Sequence, residues 1–442
     1  MSDSTETGTQ AALRPAEAAE AAYDWRGAIE TYERVLAEAD AALDEAAVLT
    51  ALGRCYWNLS EARTAWRALR RAISLYQQRG DGVGQALATL EISRIWGPPE
   101  RHRQMLDDAL EALGDADEAA RARLLLCYRW SENDVDERWD EAMAIAERLG
   151  LDDVLAFRAQ RQAWQTMDEG RVEDAVVLFE RAHDTYARLG MHDVAAAVLR
   201  NIGFQLIETG ELDRGYAYAE RCFEHASKVG LLFTAQLALM DMAAVLYARG
   251  EFERCEALLG QSPGETDFRG DLYRMWIAEA RGDVDGALRL MVSPDRAGKA
   301  PTASGQIHAA AAGVLFRAGR VDAAAEAMRA WMSVERPPED ADFACFEASP
   351  MLECILALGD ESLLRDVRDA FQRFEEGPRP AMRFSTLQGR AVAPLRAGVA
   401  LKLGLNDEAE RLYREGLEWC VRERCERDAA LCREGLAVVG VG

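Results

Sequence analysis

Lysine is nearly missing from this chain. Lys228, Lys299 and Lys402 are the only three in 442 residues, and arginine carries the rest of the positive charge, a bias that suits a GC-rich bacterial genome. Positive charge is itself in deficit: 52 Lys and Arg stand against 76 Asp and Glu, a formal net charge of −24. General attraction to nucleic-acid backbone or anionic lipid needs a cationic excess, so direct nucleic-acid binding and membrane binding are both excluded as expectations. A phosphate-cradling loop is also lacking. The single Gly-Lys pair, Gly298-Lys299, runs into Ala300 and has no glycine at the start of a G-x-x-x-x-G-K-[ST] pattern. The five histidines, His102, His183, His192, His225 and His308, form no i, i+4 pair and no H-E-x-x-H, and no C-x-x-C occurs, so spacing offers zinc no ligand set. Carboxylates are so abundant that any pair of them reads as a solvated helix face rather than an acid/base couple. No catalytic residue, metal or cofactor is therefore expected, and the chain reads as a non-enzyme.

Two further absences bear on location. The first ten residues are polar and acidic and contain no apolar segment of the signal-peptide kind. The longest apolar stretch, Leu231 to Ala248, is interrupted by Gln236 and Asp241 and ends at a glycine turn, which describes a buried helix better than a membrane span. The nine cysteines are odd in number and scattered through helical stretches, where a free thiol serves as a small apolar side chain. A reducing, cytoplasmic setting is expected.

What the chain has in quantity is repetition. A turn signature recurs at Gly170-Arg171-Val172, Gly210-Glu211-Leu212, Gly250-Glu251-Phe252, Gly282-Asp283-Val284, Gly319-Arg320-Val321, Gly359-Asp360-Glu361 and Gly404-Leu405-Asn406, at intervals of 40, 40, 32, 37, 40 and 45 residues. Helical periodicity flanks each turn, and periods of this length mark helix pairs that bury a core only against their neighbours. After each turn comes a small residue, then a large one, then another small one; Ala175, Phe179 and Ala182 share one helical face in this way. Glycine inside the preceding helix, as at Gly53 and Gly203, costs about 1 kcal/mol relative to alanine, so close backbone contact is the expected reason for it.

The sets Leu52, Gly53, Tyr56, Ala65, Leu69, Ala72 and Ile202, Gly203, Leu206, Gly210, Gly215, Ala219, Cys222 resemble the tetratricopeptide repeat consensus. With the register fixed, weaker copies appear at Asp24-Trp25, around Pro98-Pro99 and at Trp139. The resemblance implies an all-α, right-handed α-solenoid of about eleven helix pairs over residues 16–437, with a capping helix near Arg424 to Val438. Residues 1–15 are expected as a disordered tail and 438–442 as a short end. Irregular stretches at Gln261 to Gly270, Ser293 to Gly305 and Glu335 to Pro350 suggest long connections, with a bend between about 260 and 305 as the other reading. More distantly, Asp24-Trp25-Arg26-Gly27-Ala28-Ile29-Glu30 and Leu52-Gly53-Arg54-Cys55-Tyr56-Trp57 resemble the repeat tails of bacterial LuxR-type and adenylate-cyclase-type signalling regulators.

In such arrays the first helix of each pair lines the concave side. Those helices carry Arg54 with Trp57, Arg94 with Trp96, Arg129 with Trp130, Arg161 with Trp164, Arg200 and Asn201 with Phe204, and Arg274 with Trp276. One reading makes this ladder a cationic, aromatic groove, since guanidinium offers paired donors to carboxylate or phosphate and indole offers stacking area. The other makes the tryptophans core and the arginines rim residues paired with neighbouring acids. The function implied is a scaffold or regulatory adaptor that holds a protein or peptide partner in its concave groove. The alternative is a sensor for a small anionic ligand in a signalling or transcription-regulatory system. The exposed end repeats are also a surface through which a homodimer could form.

Overall fold

The structure, a computed structural model, describes residues 8–38, 43–95, 99–128, 135–262, 268–293, 301–334, 348–376, 383–385 and 389–440. Among these, 23 α-helices, a short 3-10 helix at Ser349–Met351 and one two-stranded hairpin account for the regular structure. The helices fall into eleven consecutive pairs. They are α1 (Gly8–Ala21) with α2 (Trp25–Ala37), α3 (Glu45–Asn58) with α4 (Ala62–Arg79), α5 (Gly82–Ile92) with α6 (Pro99–Leu113), and α7 (Glu118–Leu126) with α8 (Val135–Leu149). Next come α9 (Asp152–Asp168) with α10 (Val172–Arg188), α11 (His192–Thr209) with α12 (Leu212–Lys228), α13 (Leu232–Ala248) with α14 (Phe252–Leu259), and α15 (Phe268–Ala280) with α16 (Val284–Arg289). The series ends with α17 (Pro301–Arg317) and α18 (Val321–Met332), α19 (Leu352–Leu358) and α20 (Glu361–Glu376), α21 (Ala393–Lys402) and α22 (Asn406–Arg422), and the single cap α23 (Glu426–Val439). This is an all-α solenoid, and α1 begins inside the segment that the sequence reads as a disordered tail.

Local chemistry explains the helix boundaries. Asp24, Asp81, Asp117 and Asp283 each precede a helix and accept a hydrogen bond from a backbone N–H three residues on, at 2.8 to 3.0 Å, satisfying a donor that the first turn leaves unpaired. Six of the seven signature glycines close the preceding helix in the left-handed region, with φ between 71° and 98°. Gly359 departs from the pattern: it leaves α19 in extended backbone at φ −66°, ψ 134°. Gly203 shows why a glycine interrupts α11, because a Cβ there would stand 3.0 Å from both the Ala219 nitrogen and the Gly215 oxygen of α12. Ala175, Phe179 and Ala182 are fully buried, as their shared face requires. In α13 every residue from Ala238 to Ala248 is buried, so the long apolar stretch is core.

The chain forms two compact units. The first comprises residues 1–162, 178–196 and 225–233. Its core includes Ala86, Leu106, Leu113 and Leu124 between α5, α6 and α7, and Leu125, Ala142, Ile145 and Val154 between α7, α8 and α9. Its first helix pair also meets the turn between α12 and α13, where the Trp25 indole N–H donates to the Val229 carbonyl at 3.0 Å.

The second unit comprises residues 163–177, 197–224 and 234–442. A core around α13 and α15, with Leu239, Tyr247, Tyr273 and Trp276, also takes in Phe384 and Trp419. Phe384 and Ser385 (β1) pair antiparallel with Ala391 and Arg390 (β2), and all four are buried. This hairpin occupies the longest interval between turn signatures, the 45 residues from Gly359 to Gly404. It lies against first-of-pair helices. The Arg383 N–H donates to the Glu208 carbonyl of α11 at 2.9 Å, and Gly389 packs against α13 and α15, where a Cβ would come 3.1 Å from the Ala244 oxygen and from the Tyr273 ring.

Candidate functional site

The arginines of the ladder are mostly committed to acids. In the first unit, Arg54 on α3 reaches Glu20 of α1 at 2.7 Å and Glu91 of α5 at 3.4 Å. Glu91 also accepts from Arg94 at 3.1 Å, and Arg94 pairs with Asp193 of α11. Charges therefore alternate along Glu20, Arg54, Glu91, Arg94 and Asp193, all in or next to first-of-pair helices. Burial opposes the charge on Arg54, but Glu91 and Glu20 outweigh it and hold its pKa above the usual guanidinium range. Trp57 packs its ring 5.5 Å from that of Phe233. Arg161 on α9 differs from its neighbours. Its guanidinium stacks on Trp139 at 4.4 Å from the ring centroid, and among the described residues no carboxylate pairs with it.

In the second unit, Arg200 lies over the Phe204 ring at 4.4 Å and donates to the fully buried Asp241 at 3.1 and 3.5 Å. Burial raises the Asp241 carboxyl above the usual carboxylate range, and Arg200 offsets part of that rise. Arg274 donates to Asp271 at 2.9 Å and to the Leu259 carbonyl at 3.4 Å. Trp276 is core rather than groove, 3 % exposed and packed at 5.4 Å against Tyr273. Asn201 and Trp164 are half-buried on α11 and α9. Trp96, Arg129 and Trp130 lie outside the described residues, as does most of the three irregular stretches. Along the ladder Arg54, Arg94, Arg200 and Arg274 are thus paired with acids and Trp276 is buried, while Arg161 lies over an indole with no acid paired to it among the described residues.

Three features escaped the sequence reading. The hairpin brings Arg390 to Asp428 of α23 in a buried pair at 2.9 and 3.2 Å, and the Ala391 N–H donates to the other Asp428 oxygen at 2.6 Å. Near it Tyr247, Trp276, Arg317, Pro350, Arg390 and Arg427 line a narrow crevice with no room for a water molecule. An open groove of about 540 Å³ runs beside Leu417 and Leu436 on the last two helices, rimmed by Glu410, Arg414 and Glu418. The long spacing after Gly359 was the one signal in the sequence for the hairpin; nothing marked the acids that would meet each arginine across the array.

Burial pushes Cys55, Cys222 and Cys255 up to about 12, so these side chains are neutral packing groups. No helix among the described residues is long and apolar enough to cross a membrane.

Geometry and repeat define the class: an α-solenoid built of tetratricopeptide-like helix pairs. No protein-family profile matches the chain, and no curated protein matches it. Several solved structures share weak similarity over nearly the whole length. Yeast Tom70 is 11% identical with a TM-score of 0.34, covering 97% of this chain and 95% of its own. The TPR domain of P58(IPK) is 14% identical at 0.29 and covers 98% of both chains. A Rap protein complexed with competence and sporulation factor is 10% identical at 0.37, covering 98% of this chain and 97% of its own. Scores this low carry no argument about partner or activity, and the fold assignment stands on the helix pairs themselves.

Proposed function

We propose that the chain is a non-enzymatic interaction scaffold or regulatory adaptor that holds a peptide or protein segment on the first-helix faces of its repeats. The observation that supports this is the charge economy of those faces. Arg54, Arg94, Arg200 and Arg274 satisfy carboxylates of the chain itself, whereas Arg161 is stacked on Trp139 with its donors left over. A guanidinium held over an indole is positioned to donate to a partner's carboxylate or backbone carbonyl without first breaking an internal pair. The small-ligand alternative has less to stand on, because the crevice beside Tyr247 and Arg390 has no room for a water molecule, whereas an effector site needs roughly 300 Å³ or more. A homodimer through the end repeats would use the open groove at Leu417 and Leu436.

The test is cross-linking capture of partners by the wild type and by Arg161→Glu, with circular dichroism to confirm that the variant folds. One protein recovered by the wild type and lost by the variant supports the scaffold at this position. Equal recovery removes Arg161 from the binding surface, and recovery of a small anion in place of a protein would favour the sensor.

A further inference from the structure

Three of the five histidines meet in the first unit. His183 stands on α10, His192 opens α11 and His225 lies in the last turn of α12. The His192 and His225 ring centroids are 5.3 Å apart and those of His183 and His225 6.2 Å, while Tyr23, from the turn between α1 and α2, meets His192 edge-on at 5.6 Å. His183 Nε2, His192 Nδ1 and His225 Nε2 are shielded from solvent and have no hydrogen-bond partner. Three unsatisfied ring nitrogens in one cluster are costly, because each gives up its bonds to water without gaining another.

The position of the cluster gives it a role. Beside it Trp25 donates to the Val229 carbonyl, and Gly230, at φ 68°, lets the chain pass against the Trp25 indole. The same seam carries the ion pair of Arg94 with Asp193, next in sequence to His192. The cluster therefore lies where the first pair closes on the turns flanking α11 and α12. The charged groups around it are few. Asp184 stands 3.0 Å from His183 Nδ1 but is largely in solvent; Asp193 is taken by Arg94, Asp24 by the α2 N-terminus, and Lys228 adds positive charge near His225. Among the described residues no three His, Cys, Asp or Glu side chains converge closely enough to hold a metal ion, so protons are the cluster's available chemistry.

We propose that this seam is a pH-sensitive latch: neutral imidazoles let the first helix pair close on the α12–α13 turn, and acidification opens it. Burial holds the His225 pKa below its ordinary value, and His192, His183 and Lys228 lower it further. The opened state then binds more protons than the closed one. Closure is complete above about pH 6.5 and is lost as the pH falls below that value toward the depressed pKa.

Hydrogen exchange of peptides spanning 20–27 and 226–233, corrected for intrinsic rate and compared at about pH 7.5 and 5.5, tests the latch. In the wild type, opening at the lower pH should be about tenfold greater, the factor set by pH 5.5 lying one unit below the ordinary imidazole pKa of about 6.5. In His225→Gln the two values should agree within about twofold, since the neutral amide cannot take up the proton. Peptides from the hairpin at 383–391 should stay protected throughout, separating the latch from global unfolding. Should His225→Gln fail to fold, His225→Asn replaces it with the same expectation. Equal protection of the wild type at both pH values overturns the proposal, as does a pH response that persists in both variants. Added zinc ion that raises protection at pH 7.5 would overturn it in favour of a metal site.

Discussion

Arg200 and Asp241 illustrate how a single pair can look like a binding site and act as packing. The Asp241 side chain is 4 % exposed and that of Arg200 22 %, so the acid is the more fully desolvated partner. Removing the two partners should then have unequal effects. Arg200→Leu leaves a buried, unpaired carboxylate and should cost about 3 to 5 kcal/mol at neutral pH, whereas Asp241→Asn leaves a partly solvated arginine and should cost less. The loss in Arg200→Leu should shrink on acidification. A carboxyl whose folded pKa is raised takes up its proton in the folded state first, so folding is favoured as the pH falls through that raised value. Urea denaturation of both variants at pH 7 and at pH 5 measures this, and equal losses at both pH values would show that Asp241 carries no raised pKa. Arg390 with Asp428 is the more deeply buried case. There burial opposes the charge on the arginine, but Asp428 and Glu353 keep its pKa above the ordinary range.

The helix pair is the level at which sequence spoke most plainly. Gly203 was identifiable because a mid-helix glycine has a local cost, and Ala175, Phe179 and Ala182 because a helical face has a fixed period. The acids that meet Arg54, Arg94 and Arg200 were not identifiable, since Glu20, Asp193 and Asp241 lie 34, 99 and 41 residues away and no local pattern links them. The hairpin was hidden for a similar reason, because two-residue strands carry no periodicity to detect. Gly210 joins both kinds of constraint. Its φ of 98° favours glycine, and a Cβ would overlap the Trp419 indole whose N–H donates to the Gly210 carbonyl at 3.1 Å. Gly210→Ala should therefore lower stability by about 2 to 4 kcal/mol, backbone strain and overpacking together, while Gly170→Ala, with open space around it, should cost only about 1. Thermal melts of the two variants compare them directly, and similar losses would remove the Trp419 contact from the argument.

At the scale of the whole molecule, a net charge of −24 sets internal pairs against general repulsion. Many of the ion pairs are exposed, such as Arg171 with Glu169 and Arg365 with Glu361, and water and salt screen such pairs so that each contributes little. The unmatched negative charge should dominate, so raising salt from about 0.05 to 0.5 M should raise the melting temperature by a few degrees. A fall in melting temperature would mean that the pairs contribute more than the repulsion costs.

Trp419 and Gly210 are 209 residues apart, yet they are hydrogen-bonded within one unit. At about 5 to 20 residues per second, a ribosome needs roughly 10 to 40 seconds to make the residues between them. Within that interval α11, α13 and α15 emerge before the hairpin and the cap that later cover them, leaving Tyr247 and Tyr273 uncovered from the time each is made. The growing chain thus passes through a period in which apolar surface awaits a segment not yet synthesised. In a cell, this is the stage at which chaperones would find the protein.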